Sequence, residues 1–237
     1  IVVAPILLTL LSFLYVRKEF KGYTLFSPEN FDHRIARSLL GFSVMNLLSS
    51  ILTPLSFIFL RNLIQNQTDP NSAGIWSSVI RLSAFYMLFV SSLCSLYFFP
   101  KLSATSQSES QKQTVSEYFT KFIPLVSLGL FLCFVLQRYI VLLLYTKDFI
   151  AITNVFYLQL IADFIRSMAL IYGYFLMARQ SMKTYIVFEL ISIGTYCFSA
   201  WFLIRPFGLN GVFYGLIISL IIYLILVRWS YTKAIKQ

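Results

Sequence analysis

Four ionisable side chains lie inside long apolar stretches of the sequence, where charge is costly. They are Arg81, Asp163, Arg166 and Glu189. A charged side chain at the centre of a bilayer costs about 2.5–3.5 kcal/mol on insertion scales, so such residues usually face a bundle interior or an aqueous cavity. Asp163 is about 20 Å from either end of its apolar stretch at helical rise, which is too far for the side chain to reach the interface. These four residues are the first candidates for a functional site.

Helical spacing places the four residues on polar stripes, because residues three or four apart share a helix face. The stripe around Asp163 contains Gln159, Asp163, Arg166, Ser167, Gly173 and Tyr174. The other stripes are Arg81 with Ser77, Ser78, Phe85, Ser92 and Ser95, then Glu189 with Tyr185, Ser192 and Tyr196, and finally Ser43, Asn46, Ser50 and Thr53. Four segments that each have one polar and one apolar face predict helices around a shared, partly hydrated cavity.

Two interpretations stay open for each charge. Asp163 and Arg166 are three residues apart, so they form either a neutral structural clip or a functional pair. Arg81 has no acid at helical spacing in its own segment, so it either reaches outward or serves a ligand. Glu189 is either a proton-coupling carboxylate or a packing residue near the membrane edge.

The elements that position these residues are membrane-spanning helices. The 237 residues are 58% hydrophobic and 12% charged, and a soluble domain carries about 25% charged residues. A first apolar run, about as long as a membrane span, covers residues 1–16. Six more follow, at residues 37–60, 74–99, 118–136, 150–177, 183–203 and 210–228. The sequence therefore predicts an all-α polytopic membrane protein.

Smaller features refine this prediction. The polar segment SATSQSESQKQTVSE, residues 103–117, indicates a solvated linker. Pro54 and Pro124 lie within spans and predict kinks. The sequence GVFYG, residues 211–215, has the small-xxx-small pattern of close helix packing.

The basic residues are distributed unevenly between the two sides of the predicted membrane. Thirteen lie in connections on one side and four on the other, with Arg81 and Arg166 inside spans. Cytoplasmic loops carry the excess of Lys and Arg, so the first side and the C-terminus are expected in the cytoplasm. This bias accounts for the formal net charge of +10, and no nucleic-acid partner is expected because aromatic and basic residues do not interleave on a polar surface.

The residue types of a catalytic site are scarce. The chain has one histidine, His33, and few loop carboxylates, and it has no HExxH motif or phosphate-binding glycine loop. Cys94, Cys133 and Cys197 each lie in a different apolar run without a second ligand at metal spacing. The sequence favours a protein without catalytic residues, metal or cofactor.

Two blocks of sequence resemble Wzx-type polysaccharide flippases. The first is AGIWSSVIRLSAFYMLFVSSLCSLYFFPKLS, residues 73–103, with its GIW start and its "P.LS" end. The second is FYLQLIADFIRSMALIYGYFLMARQSMKTYIVFEL, residues 156–190, with a "QL..D..[KR]" core, a GY pair, an "A[KR]" helix end and a following Glu. The residues that match this second pattern are Asp163, Arg166, Gly173, Tyr174, Ala178, Arg179 and Glu189. Within the family the likeness is greatest to the enterobacterial lipid III flippases and O-antigen translocases.

The resemblance implies a fold and an organisation. These flippases are members of the multidrug/oligosaccharidyl-lipid/polysaccharide (MOP) exporter superfamily, whose MATE-like fold has two six-helix lobes. Residues 1–17 would complete a sixth transmembrane helix, residues 18–36 would form a cytoplasmic loop, and residues 37–237 would form the C-terminal six-helix lobe. One departure is Ala84, where the family often has an Asp, and Arg81 is not general in the family either.

The resemblance also implies a function. Such proteins move undecaprenyl-pyrophosphate-linked oligosaccharides, such as lipid III or an O-antigen unit, from the cytoplasmic to the periplasmic leaflet of the bacterial inner membrane. Alternating access would present cations to the pyrophosphate, and other glycan-assembly membrane proteins are the expected partners besides membrane lipid. The alternatives are a MATE-like exporter of small molecules and a membrane glycan polymerase or ligase, which short outer loops disfavour.

Roles for individual residues follow from this expectation. Arg81 and Arg166 are the predicted phosphate ligands, since a guanidinium makes two-point contacts with phosphate. Asp163 would restrain Arg166 in the empty site, and Glu189, with Asp163, would couple transport to protons. The remaining predicted substrate-binding residues are Gln159, Tyr174 and Asn46.

Overall fold

A computed structural model describes residue 12 and residues 33–104, 107–145, 147–179 and 181–236. The α-helices of residues 33–236, numbered in chain order, are α1 (His33–Gln67), α2 (Pro70–Leu93), α3 (Phe99–Ser103), α4 (Ser108–Glu117), α5 (Ile123–Leu144), α6 (Thr153–Ala178), α7 (Met182–Phe207) and α8 (Leu209–Lys236). No strand occurs in the described ranges. The chain divides into two compact units, Ile1–Gly41 and Phe42–Gln237, and the site described below lies wholly within the second.

Five helical stretches of the described residues are long and apolar enough to cross a membrane. They are Pro70–Ser103, Ser108–Leu144, Phe149–Ala178, Lys183–Phe207 and Leu209–Ile235. The prediction of an all-α polytopic membrane protein is confirmed. Each stretch is longer than the apolar run that predicted it, because the helices continue beyond the ends of the predicted runs. The predicted division of the chain into residues 1–17, 18–36 and 37–237 stays a prediction.

The segment at residues 103–117, predicted to be a solvated linker, is largely helical and has one buried face. Helix α4 covers Ser108–Glu117 and leads directly towards α5. Gln111 and Val115 of α4 are buried, and one turn separates them. A polar sequence without Gly or Pro forms a helix readily when one face packs against the protein.

Two prolines are accommodated by wide helical turns. A π-helical segment, Cys94–Phe98, precedes Pro100, and a second, Tyr118–Phe122, precedes Pro124. Proline lacks an amide hydrogen and its ring collides with the carbonyl four residues earlier, which in both cases lies in the π segment. The irregularity predicted at Pro124 is therefore a π turn. It places the buried Tyr118 so that its hydroxyl donates to the Ser167 carbonyl of α6 at 2.6 Å.

Helices α7 and α8 form a tight antiparallel hairpin. Gly208, between them, has a positive φ of 56°, which favours glycine. An added Cβ on Gly211 would lie 2.1 Å from the Leu203 carbonyl oxygen, and one on Gly215 would lie 2.7 Å from the Ala200 amide nitrogen. The close packing predicted from GVFYG is confirmed, because the two backbones approach within the space that a side chain needs.

Arg179 joins several helices at the end of α6. Its guanidinium donates to the Gln111 side-chain oxygen at 2.8 and 3.1 Å and to the Ala234 carbonyl of α8 at 2.8 Å. The Gln111 amide in turn donates to the Leu102 carbonyl of α3 at 3.2 Å. One cation therefore satisfies carbonyl and amide oxygens from α4 and α8, which fixes these ends relative to α6.

Candidate functional site

Asp163 is the centre of a buried hydrogen-bond cluster between α2 and α6. The carboxylate is fully buried. Its Oδ2 accepts from the Ser83 hydroxyl at 2.6 Å and from the Tyr86 hydroxyl at 2.5 Å. Its Oδ1 accepts from the Gln159 amide at 3.0 Å, and the same amide nitrogen donates to the Ser83 hydroxyl oxygen at 3.1 Å. Three neutral donors thus hold the carboxylate in place, two of them from a neighbouring helix.

Arg166 pairs with this carboxylate from its exposed side. The Arg166 Nη1 lies 3.1 Å from the Asp163 Oδ1, and 37% of the Arg166 side chain is exposed while none of the Asp163 side chain is. The predicted i,i+3 pair is therefore formed. It is asymmetric, because the acid is held by Ser83, Tyr86 and Gln159 whereas the base extends into open space.

That space is a cavity with a volume of about 420 Å³. A smaller cavity of about 170 Å³ adjoins it, and the two share Arg166, Tyr185, Leu220 and Tyr223. We call the two together the Arg166 cavity. Its lining comes from α1, α2, α6, α7 and α8 and consists of Thr53, Ser56, Phe57, Leu60, Trp76, Ile80, Arg166, Leu170, Gly173, Tyr174, Met177, Tyr185, Glu189, Ser192, Ile193, Tyr196, Leu216, Ser219, Leu220 and Tyr223.

The position of Arg166 along the cavity is central. Arg166 lies 13 residues after Thr153, the first residue of α6, which is about 20 Å at helical rise. It borders both the larger cavity, which α1 and the first half of α2 also line, and the smaller one, which the last turns of α6 also line. A guanidinium near the middle of a span faces the space between helices instead of either membrane surface.

The predicted polar stripe of α6 divides between two surroundings. Gln159, Asp163 and Ser167 are fully buried against α2, and the Ser167 hydroxyl donates to the Asp163 carbonyl at 2.8 Å. Arg166 and Tyr174 line the Arg166 cavity. The Tyr174 hydroxyl also donates to the Ser91 carbonyl of α2 at 3.4 Å. The sequence thus predicted the stripe, and the structure shows that its two halves face a neighbouring helix and a cavity.

Three further predicted residues have different positions. Glu189 lines the Arg166 cavity together with Tyr185. Arg81 has an exposed side chain and is not among the residues that line this cavity. Asn46 lies in α1, and its side chain is outside the described residues. The role predicted for each of these residues stays a prediction.

Several residues of the site were missed by the sequence analysis. Ser83 and Tyr86, the two interhelical donors to Asp163, lie on the opposite side of α2 from the stripe assigned to Arg81. Trp76 is 1% exposed and lines the cavity with Phe57, whose ring centroid is 4.7 Å from that of Trp76. The sequence signal that could have found them is the aromatic and hydroxyl content of residues 75–92. Helical spacing alone, however, does not show which face of α2 packs against α6.

The arrangement suits the binding of an anion that carries a larger polar group. The Arg166 guanidinium offers several N–H donors, and its counter-ion Asp163 is already held by three neutral donors. A ligand anion would therefore have to replace only the single contact between Arg166 and Asp163. Among the described residues, no group of three or more His, Cys, Asp or Glu side chains lies close enough together to hold a metal ion. Fold and site together define a polytopic helical membrane protein with an intramembrane cavity that Arg166, Glu189 and several hydroxyl groups line, an arrangement typical of transporters.

Comparison with known proteins agrees with this class. The chain is 27% identical over 194 residues to the lipid III flippase of Escherichia coli (strain K12), and equally to that of Shigella flexneri. The match covers 82% of this chain and 47% of each relative, so the chain spans about half the length of the curated relatives it matches. The resemblance to Wzx-type flippases predicted from the sequence is confirmed. No protein-family model matches the chain, and no solved structure is similar to it.

Proposed function

We propose that this chain is part of a flippase that moves a lipid-linked oligosaccharide across the bacterial inner membrane. The ligand anion would be the pyrophosphate that joins an undecaprenyl chain to the glycan, such as a lipid III or O-antigen unit. The similarity to lipid III flippases supports the substrate class. In this proposal the protein performs transport and no chemical step.

The observation that carries the proposal is the exposure of Arg166 into an intramembrane cavity. A pyrophosphate cannot enter hydrocarbon without its charge being compensated. Arg166 offers a planar pair of donors near the middle of α6, and a cavity of about 420 Å³ extends from it. Phosphate oxygens accept bidentate hydrogen bonds from guanidinium groups, so the pyrophosphate would replace Asp163 as the partner of Arg166.

Asp163 would then return Arg166 to its resting position after release. Because Ser83, Tyr86 and Gln159 already donate to this carboxylate, Asp163 stays in place when the guanidinium leaves. Asp163 therefore keeps its position through the cycle, and Arg166 is the partner that moves. This role makes the pair both a structural contact and part of the transport cycle.

Alternating access would carry the lipid past this site. Rocking of two lobes about a site near the midplane exposes it to each side in turn, and the MATE-like fold that the family resemblance implies would supply the second lobe. Glu189, which lines the cavity, is the proposed proton-coupling carboxylate. The C-terminus would lie in the cytoplasm, which the excess of basic residues on one side of the predicted membrane supports.

The proposal is tested by complementation with the complete gene that encodes this chain. A strain that lacks its lipid III flippase should regain glycan export with the wild-type gene and with Arg166→Lys at a reduced level. Arg166→Gln should abolish export, because a neutral amide does not compensate the pyrophosphate. Export by Arg166→Gln at the wild-type rate, with equal protein in the membrane, would refute the role of Arg166.

A second assay separates this function from export of small molecules. The same strains are tested for resistance to cationic drugs. Resistance that depends on the protein, without glycan export, would assign it to the drug exporters instead. The matched control is Arg205→Gln, since Arg205 is an exposed arginine that lies over the Trp201 ring and does not line the cavity.

A further inference from the structure

An apolar groove lies between α5 and α6. Its volume is about 500 Å³, and it is lined by residues of α5 between positions 127 and 134 and by residues of α6 between positions 157 and 164. We call it the α5–α6 groove. It is open, since the side chains of Phe134 and Ile161 are 44% and 46% exposed. Both helices belong to stretches that are long and apolar enough to cross a membrane, so the molecules that meet this groove are the hydrocarbon chains of lipids.

The α5–α6 groove is separate from the Arg166 cavity. Among the described residues, none lines both spaces. Phe164 lines the groove and comes two residues before Arg166 in the chain, which corresponds to about 200° around a helix. The two spaces therefore lie on opposite faces of α6, and a molecule that fills the groove does not reach Arg166.

Arg138 brings a positive charge to one end of the groove. It comes four residues after Phe134 on α5, so it lies on the same face one turn beyond the groove. Its side chain is exposed and makes no hydrogen bond or ion pair within the described residues. Helix α5 contains no Asp or Glu, and the only one in α6 is the buried Asp163. The two helices that form the groove therefore leave this charge uncompensated.

Tyr157 brings a hydroxyl group to the same end. The helices are antiparallel, because Phe119, just before α5, packs on Tyr172 near the end of α6. Tyr157 lies four residues after the first residue of α6 and Arg138 six residues before the last residue of α5, which is about 6 Å and about 9 Å from these helix ends. Tyrosine and arginine at this depth reach the lipid headgroups while the rest of the side chain stays in the apolar region.

The combination of groove and cation selects the chemistry of the ligand. A guanidinium matches the geometry of a phosphate group, and a tyrosine hydroxyl can donate to a phosphate or ester oxygen. A soluble phosphate would leave the groove empty, and a neutral lipid would leave Arg138 without an anion. A zwitterionic lipid also brings an ammonium group, for which neither helix offers an exposed acid. A phospholipid with a net negative charge satisfies both the groove and Arg138.

We infer that the α5–α6 groove binds one anionic glycerophospholipid of the surrounding membrane. Its phosphate would lie at Arg138 and Tyr157, and one acyl chain would lie between α5 and α6. The bound lipid would join the two helices near one membrane surface. This inference does not depend on the proposed function, because the groove and the Arg166 cavity lie on opposite faces of α6.

The test measures lipid binding to the complete purified protein by native mass spectrometry. The protein is titrated with dioleoyl phosphatidylglycerol, and the affinity for the first bound lipid is compared between variants. Arg138→Gln should weaken this binding about 5- to 10-fold, as expected for the loss of one basic contact with a headgroup. Dioleoylglycerol, which has the same chains and no phosphate, should bind more weakly and should bind the wild type and Arg138→Gln equally.

A second variant tests the groove itself. Ile161→Trp places a larger ring in the groove and should weaken the binding of phosphatidylglycerol by a similar factor. Its matched control is Leu143→Trp, at a side chain of α5 that is 85% exposed and does not line the groove. Thermal unfolding without added lipid shows whether each variant keeps its fold. If Ile161→Trp does not fold, Arg138→Gln alone decides.

Two arginine variants show that the effect belongs to Arg138. Arg205→Gln removes an exposed arginine at the end of α7, which lies at the same membrane surface because successive spans alternate in direction. It should leave the affinity for phosphatidylglycerol unchanged. Arg166→Gln should also leave it unchanged, so the groove and the proposed function can fail separately.

Three results would overturn the lipid site. The first is an unchanged affinity for phosphatidylglycerol in Arg138→Gln or in folded Ile161→Trp. The second is equal affinity of the wild type for phosphatidylglycerol and dioleoylglycerol. The third is displacement of the bound phosphatidylglycerol by a polyprenyl pyrophosphate, which would assign the groove to the transported lipid instead.

Discussion

The asymmetry of the Asp163–Arg166 pair predicts unequal effects of removing its two members. Asp163→Ala deletes the acceptor for two interhelical bonds, from Ser83 and Tyr86, and for one bond from Gln159. Interhelical hydrogen bonds in membranes contribute about 0.6–1.7 kcal/mol each, and the buried donors left behind lose their partner. The expected loss of stability is about 2–4 kcal/mol. Arg166→Gln removes the ion pair of a fully buried carboxylate, but three neutral donors still hold that carboxylate, so its expected cost is smaller than that of Asp163→Ala.

Reversible unfolding of the purified protein in mixed detergent micelles measures both free energies. Tyr86→Phe is the intermediate control, because it deletes one of the three bonds to the carboxylate, and its cost should be about 1–2 kcal/mol. Equal destabilisation by Asp163→Ala and Arg166→Gln would refute the reasoning. That result would mean that the pair acts as one structural clip and that Arg166 is not a movable partner.

Three further predictions concern the ends and the packing of the helices. Gly215→Ala should destabilise the α7–α8 hairpin by about 1–3 kcal/mol in the same unfolding assay, because the new methyl group would meet the backbone of α7. Gly194→Ala is the control: nothing lies within 4 Å of its added Cβ, so it should not destabilise the hairpin. Arg179→Met removes the hydrogen bonds to Gln111 and to the last turns of α8, and hydrogen exchange should quicken in α4 and at the end of α8 but not in α2. Asp69 caps α2, and hydrogen bonds from Ser72 hold the pKa of Asp69 below its usual range, so the stabilisation by this cap is present above the unfolded-state pKa and is lost as pH falls through the folded-state pKa. Hydrogen exchange measured during an acid titration should therefore show the start of α2 loosening only in strong acid. Asp69→Ala should loosen the start of α2 at every pH.

The membrane spans could be predicted from the sequence because hydrophobicity and length decide them. Only helices satisfy all backbone groups of a single segment in lipid, so each apolar run of sufficient length predicts one. The ends of the helices could not be predicted in the same way. At α4 the polar sequence indicated a linker, but the helix forms because Gln111 and Val115 are buried against the protein.

The presence of the charged pair could be predicted, but its surroundings could not. A spacing of three residues brings Asp163 and Arg166 together on any helix. Which of them is buried depends on the neighbouring helix, and only the fold shows that Ser83 and Tyr86 approach from α2. The same limit applies to Arg81, which shares α2 with Ser83 but lies on an exposed face.

The proximity of Trp76 and Tyr196 could not be predicted from helical spacing. Tyr196 was assigned to a polar stripe with Glu189, whereas Trp76 belonged to no stripe because an indole ring is counted as apolar. The two residues are 120 positions apart in the chain and are neighbours only through the packing of α2 and α7 around the cavity.

The glycine contacts between α7 and α8 have a mechanical consequence. Because an added Cβ on Gly211 or Gly215 would meet backbone atoms of α7 at less than 3 Å, the two helices cannot slide past each other without bringing a side chain of α8 against the main chain of α7. The hairpin therefore moves as one rigid unit, with Glu189, Ser192 and Tyr196 on α7 and Ser219 and Tyr223 on α8. A widening of the Arg166 cavity would displace all five side chains together, so the α7–α8 wall would release its contacts with a ligand in one step.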